Sequence, residues 1–195
     1  MTISWQNGIV VVLAGRRVDP EMADVPRFPL ENAPRVRTDI YLRLRKLRAS
    51  ILVCSAACGA DLLALDAAQQ LDIRARIIIP FSAEQFRQTS VVDRPHPALW
   101  GPIYSSAIAA ARAHEDLVEL GSDVHDKSAY SATTTALIEQ AQSLATESEP
   151  PITRPIALTV WDGTISEPGD QTKEFSDAAR KAGFDNDEII TLWDR

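Results

Sequence analysis

The sequence predicts an α/β protein: a Rossmann-like, open, mostly parallel sheet of about six strands with helices on both faces. Two observations carry this. Short apolar runs rich in Val and Ile recur down the chain, and stretches with apolar residues at helical spacing separate them. A third is the form of the first runs. They are continuously apolar instead of alternating, as strands covered on both faces are.

The runs fall at "GIVVVLA" (8–14), "SILVC" (50–54), "ARIIIP" (75–80), a weaker "EDLVEL" (115–120), "PIALTVW" (155–161) and "DEIITLW" (187–193). Between them, Val36, Ile40, Leu44 and Leu47 form one apolar stripe at helical spacing, and Leu63, Ala67 and Leu71 a second. Leu137, Ala141 and Leu144 give a third, and Phe175, Ala179 and Ala182 a fourth. "PFSAEQFRQTSVVDRPHPALWGP" (80–102) reads as a long irregular loop, and "ESEPPITRP" (147–155) as a loop within one domain spanning 1–195.

At 195 residues and 45% hydrophobic, the chain has enough apolar surface for a full core without disulfides. Its net charge of −7 argues against broad or sequence-specific nucleic-acid binding, which needs a basic face. The locally basic "RVRTDIYLRLRKLR" interleaves its charges with the first apolar stripe and reads as a solvated helix face. No apolar run approaches the length of a membrane span, and "MTISWQNG" lacks the form of a secretory signal. Cys54 and Cys58 sit at a buried-looking strand end and read as reduced thiols packed in the core of a cytoplasmic protein.

In such a sheet, ligands bind at the carboxyl ends of the strands, near the point where strand order reverses. Gly15, Arg16 and Arg17 follow the first strand. "SAACGAD", with Ser55, Gly59, Ala60 and Asp61, follows the second. "WDGTISEPGD", with Asp162, Gly163, Gly169 and Asp170, follows the fifth. Small residues around Gly59 let a ligand approach bare backbone, and a helix starting near Ala60 would aim its free amides at an anion such as phosphate. The alternative is that Gly59 makes a tight turn and Asp61 serves the first helical turn. Asp170 is expected to cap a helix running to about Ala182, which would leave phosphate to the first two loops and Asp162 or Asp170 to ribose hydroxyls. Tyr130, at the start of the helix before the fifth strand, is placed to stack on a base or to pack on the sheet edge.

"VVVLAGRR", "LVCSAACGADLLALDAA", "RIIIPFSAEQF" and "ALTVWDG…EPGDQTKEFSDAARKAG" resemble the SLOG superfamily. That group includes DNA-processing protein A, the cytokinin-activating phosphoribohydrolases and nucleotide-sensing domains of bacterial defence systems. The resemblance is to a "TGHR"-like first loop, an "A-x-G-A-D" second loop, a "P-F" third strand end and a "W-D-G…G-D-T" fifth loop. Arg16 stands where a histidine is common. The resemblance implies a nucleotide-type ligand at the strand ends, with Gly15 and Arg17, then Gly59, Ala60 and Asp61, then Asp162, Gly163, Gly169 and Asp170 matching the three loops. In the phosphoribohydrolase branch a glutamate of "P-G-G-x-G-T-x-x-E" acts on the N-glycosidic bond. This chain has Pro168, Gly169, Thr172 and Glu174, lacks the second glycine, and has a shorter spacing. A catalytic carboxylate must lie within reach of its bond, so with this departure Glu174 reads as a solvated helix residue, with the catalytic role as its alternative.

Other candidates read as structural. "DVHD" (Asp123 to Asp126) is a polar loop with no second histidine nearby to make a metal site. His96 and His114 read as structural, Trp161 as an anchor of the fifth strand, and the threonines at 133–135 as a weak helix start. No metal or cofactor is expected. Three functions are compatible with these features. The first is a sensor of a nucleotide-derived ligand of the cyclic-nucleotide or ADP-ribose type, in bacterial defence or signalling. The second is an N-glycosidic hydrolase of nucleoside 5′-monophosphates, with Glu174, Asp162 and Asp61 as its candidate acids. The third is a protein-interaction domain without ligand. A second copy of the chain is a further partner to consider.

Overall fold

The computed structural model describes residues 9–147, 154–165 and 169–193. The N-terminal "MTISWQNG", most of the 147–155 loop and Pro168 therefore lie outside the described residues. Among the described residues, six strands and six α-helices follow in the order β1 (Ile9–Gly15), α1 (Ala33–Leu47), β2 (Ala49–Cys54), α2 (Ala60–Gln70), β3 (Arg74–Ile79), α3 (Ala83–Ser90), α4 (Pro97–Ala113), β4 (Leu117–Glu119), α5 (Ala129–Glu147), β5 (Ile156–Trp161), α6 (Gln171–Lys181) and β6 (Asp185–Ile190). Every pairing is parallel and the strand order is β4-β3-β2-β1-β5-β6, an open Rossmann-like sheet.

The continuous apolar runs follow from burial on both faces. Val11, Leu13, Leu52, Cys54, Ile77 and Ile79 point to the face covered by α1, α2, α3 and α4. Their neighbours Val10, Val12, Ile51, Val53 and Ile78 point to the face covered by α5 and α6, against Leu137, Ala141, Phe175 and Ala179. The first half of the chain builds outward from β1 to β4. Helix α5 then returns to the other side of β1, so strand order reverses between β1 and β5. The loops after these two strands flank the reversal, with β2 next to β1 on its other side.

Two segments differ from the sequence reading. The stretch 80–102 is mostly helical, holding α3 and the start of α4. Ser82 caps α3 by accepting from the Gln85 amide at 3.4 Å, and Pro97 occupies the first turn of α4. Its prolines thus start a helix instead of extending a loop, although Pro102 lies inside α4. The last strand runs Asp185–Ile190 instead of 187–193. It is an edge strand with a polar beginning, and charges on an edge are a normal protection against further pairing. Beyond it, the Thr191 hydroxyl donates to the Arg27 carbonyl at 2.6 Å, and the Asn32 side-chain amide donates to the Thr191 carbonyl at 2.9 Å. The Arg35 guanidinium lies 3.7 Å from the Trp193 ring centroid.

The basic face of α1 meets the chain's own acids: Arg37 pairs with Asp66 and Arg43 with Asp187. At the amino end of β3, the buried Asp116 takes a two-point fork from Arg74 at 2.8 and 2.7 Å, with Arg76 at 3.0 Å. Cys54 and Cys58 are buried and unpaired thiols, and among the described residues no helix is long and apolar enough to cross a membrane.

Candidate functional site

At the β1–β5 reversal the backbone is crowded. A Cβ on Gly15 would lie 2.4 Å from the Val160 carbonyl oxygen and 2.6 Å from the Ala60 Cβ, so only glycine fits between β5 and α2. The next residue, Arg16, turns its side chain across the reversal. Its Nε donates to Asp162 at 3.0 Å, its Nη1 and Nη2 fork onto Asp170 at 2.8 and 2.7 Å, and Nη2 also donates to the Thr164 carbonyl at 2.8 Å. Arg27 Nη1 stands 3.8 Å from both carboxylates. Burial opposes the Arg16 charge, but its bonds to Asp170 and Asp162 outweigh it, and the guanidinium is held above its usual basicity.

Asp170 also caps α6, accepting from the Thr172 and Lys173 amides at 3.1 and 3.2 Å. Gly169, with φ +98°, delivers the chain to that cap, and Gly163 is an exposed turn residue at φ +78°. Asp162 and Asp170 are thus the partners of Arg16, where the sequence reading left one of them for ribose.

The second loop is clamped to the first. Arg17 and Gly59 form an antiparallel bridge, and the Ala60 amide donates to the Arg16 carbonyl at 3.1 Å. Gly59 has φ +111°, and a Cβ there would lie 2.7 Å from the Arg16 oxygen and 2.8 Å from the Val18 nitrogen. The close approach that glycine permits here is by the chain's own first loop. Ser55 is half-buried at the end of β2. Asp61 is buried in the first turn of α2 and accepts from the Ala57 amide at 3.1 Å. Burial pushes its carboxyl up to about 7, against the opposing pull of the Ala57 amide and Arg17.

Arg17 points away from Arg16. Its Nη2 donates to Asp93, in the turn between α3 and α4, and lies 3.6 Å from the Cys58 sulfur. Burial raises the Cys58 thiol despite Arg17, so it stays protonated at neutral pH. The Cys58 amide donates to the Ser90 carbonyl at 2.9 Å, fixing the end of α3 to the second loop. The Ser90 hydroxyl in turn lies 3.3 Å from the Tyr130 hydroxyl. Tyr130 is partly exposed and packs edge-on against Phe81, with ring centroids 5.8 Å apart. Next to it, Ser131 donates to Glu174 at 3.0 Å, joining the first turns of α5 and α6.

Asp93, Arg94, Arg27, Ser90 and Ser131 join this edge without having been singled out in the sequence. "VVDRP" did carry an adjacent acid and base, but inside a segment read as irregular.

The remaining candidates are structural in their contacts. Asp123 and Asp126 accept from the His125 and Ser128 amides, each at 2.8 Å, and build turns. His96 precedes α4 with φ +58°, and His114 ends that helix. Thr133 donates to the Ala129 carbonyl at 2.8 Å inside α5. Trp161 is half-buried and donates to Glu188 on the edge strand at 3.2 Å, so it braces the sheet edge more than its core. No group of three or more potential metal ligands occurs among the described residues. A surface pocket of about 710 Å³, lined by Pro20, Pro26, Pro29, Pro95, His96 and Trp193 among others, shares no residue with the predicted site.

No protein-family model matches the chain, and no curated protein matches it.

Proposed function

We propose that the chain binds a nucleotide-derived ligand, of the cyclic-nucleotide or ADP-ribose type, at the carboxyl ends of β1, β2 and β5. We read it as a nucleotide-sensing member of the SLOG superfamily, acting in the cytoplasm in bacterial defence or signalling. The observation that carries this reading is the strand order. It puts the three glycine-bearing loops, distant in sequence, side by side at the reversal between β1 and β5, where open parallel sheets hold their ligands. Tyr130, Arg17 and the Asp93–Arg94 turn border the same edge with partly exposed side chains. Isothermal titration with ADP-ribose, cyclic mononucleotides and cyclic dinucleotides tests the reading. Binding of one of them in the micromolar range supports it, and failure of the whole panel at millimolar concentration contradicts it.

A hydrolase of nucleoside monophosphates is the second reading, and Asp61 favours it. A buried carboxyl held near neutrality is a suitable general acid or base. Against it, Glu174 is bonded to Ser131, and Asp162 is bonded to Arg16. Release of free base from AMP, lost in Asp61→Asn, is the distinguishing result.

A further inference from the structure

We propose that Arg17 and Arg94 form an anion seat which the chain's own Asp93 occupies, and that a ligand phosphate binds there by displacing the Asp93 carboxylate. The proposal rests on the nucleotide reading for what carries the phosphate, and on geometry for the seat.

The three side chains come from two segments, the loop after β1 and the turn between α3 and α4. Arg17 Nη2 donates to one carboxylate oxygen of Asp93, and Arg94 Nε stands 3.9 Å from the other. As placed, the Asp93 carboxylate satisfies the Nε of neither arginine. The consequence is visible in the donors it leaves: the Nε of Arg17 and the Nε of Arg94 are both buried without a hydrogen-bond partner. Buried N–H groups are rarely left unmatched, and orphaned ones ask for an explanation. A phosphate supplies more acceptor oxygens and more charge than a carboxylate, and arginine forks match its geometry.

The seat is accessible. The side chains of Arg17, Asp93 and Arg94 are 27%, 33% and 25% exposed, so a dissolved anion reaches them and the resident ion pair is a solvent-screened one. Arg16 offers no comparable seat, because Asp162, Asp170 and the Thr164 carbonyl already take its donors. Both flanks of the turn are pinned, by the Cys58 amide on the Ser90 carbonyl at 2.9 Å and by the Trp100 indole on the Pro95 carbonyl at 3.0 Å. Release of Asp93 is therefore a side-chain rotation that leaves α3 and α4 in place. Asp61 also faces Arg17 but is buried on the α2 side and accepts from Ala57, so it stays when Asp93 leaves.

The test is titration of inorganic phosphate at low ionic strength into the parent chain, Asp93→Asn, and Asp93→Asn combined with Arg94→Ala. Asp93→Asn keeps the size of the side chain and removes the competing charge. Phosphate affinity is expected to rise at least about fivefold in Asp93→Asn and to fall back to the parental level or below in the double variant. Equal affinity in parent and Asp93→Asn, no phosphate binding by either, or a gain that survives loss of Arg94 overturns the seat. If circular dichroism shows Asp93→Asn unfolded, Asp93→Ser makes the same comparison. ADP-ribose titrated into the same proteins separates this idea from the functional reading. ADP-ribose that binds the parent but gains nothing in Asp93→Asn overturns the seat alone. A phosphate gain where no nucleotide binds supports the seat and contradicts the nucleotide reading.

Discussion

Arg16 and Asp170 lie 154 residues apart in sequence and meet through two hydrogen bonds of 2.8 and 2.7 Å. One carboxylate thus serves two ends. It caps α6 through the Thr172 and Lys173 amides, and through Arg16 it ties that helix to the end of β1. The site's most basic-looking loop is in this way largely neutralised from within, and Arg16 becomes part of the scaffold on which the outer residues stand.

Arg16→Ala is expected to cost about 3 kcal/mol of stability, because it takes the guanidinium fork from two nearly buried carboxylates, and the α6 amides on Asp170 and the more distant Arg27 offset only part of that loss. Arg16→Lys restores the charge without the fork and is expected to recover only part of the loss. Urea unfolding of the three proteins measures both. An Arg16→Ala chain as stable as the parent contradicts the scaffold role.

Gly59→Val is expected to destabilise the chain, in addition to any loss of ligand. The added carbons collide with the Arg16 oxygen and the Val18 nitrogen, both backbone atoms that cannot rotate away, and φ +111° is strained for any side chain. The cooperative unfolding midpoint should fall by several degrees. An unchanged midpoint would show that the first two loops are not clamped together.

Asp61 links stability to pH. Its folded carboxyl titrates at about 7, above the ordinary value of 3.8, so as pH rises between these values the unfolded chain gives up the proton first and stability falls. The full penalty, roughly 4 kcal/mol from a shift of about three units, is present only above pH 7. Asp61→Asn keeps an acceptor for the Ala57 amide and removes the charge. It is therefore expected to be more stable than the parent at pH 8 and about equal to it at pH 4. Denaturant midpoints at the two pH values check the sign, and a stabilisation that grows as pH falls contradicts it.

Asp116→Ala is expected to cost about 2–3 kcal/mol, since the buried carboxylate holds Arg74 and Arg76 together and those arginines, partly exposed, recover some hydration when it is lost. Asp116 stands at the opposite end of β4 from the ligand edge, so affinity for any nucleotide should be unchanged once folded protein is counted.

Much of the fold was legible in the sequence because burial on both faces makes β1, β2 and β3 uninterrupted apolar runs, and the stripes Val36–Ile40–Leu44 and Leu137–Ala141–Leu144 mark helices packed on one side. The start of β6 was hidden because an edge strand carries "DND" where a central one carries valines. Helix α3 was hidden behind neighbouring prolines, although Ser82 and Gln85 spelled its capping pattern. The cap at Asp170 is a local relationship and could be read from spacing. Its partnership with Arg16 and that of Arg17 with Asp93 join loops from different strands. They are fixed by strand order, which no local pattern encodes.

The most direct test of the account is an amide NMR titration of the chain with ADP-ribose and with cyclic AMP. The account predicts that at least one of them shifts the amides of residues 15–17, 55–61 and 162–165, together with Asp93, Arg94 and Tyr130. The pocket around Pro26, His96 and Trp193 should stay unperturbed. Shifts confined to that pocket, or no shifts with either nucleotide at millimolar concentration, would contradict it.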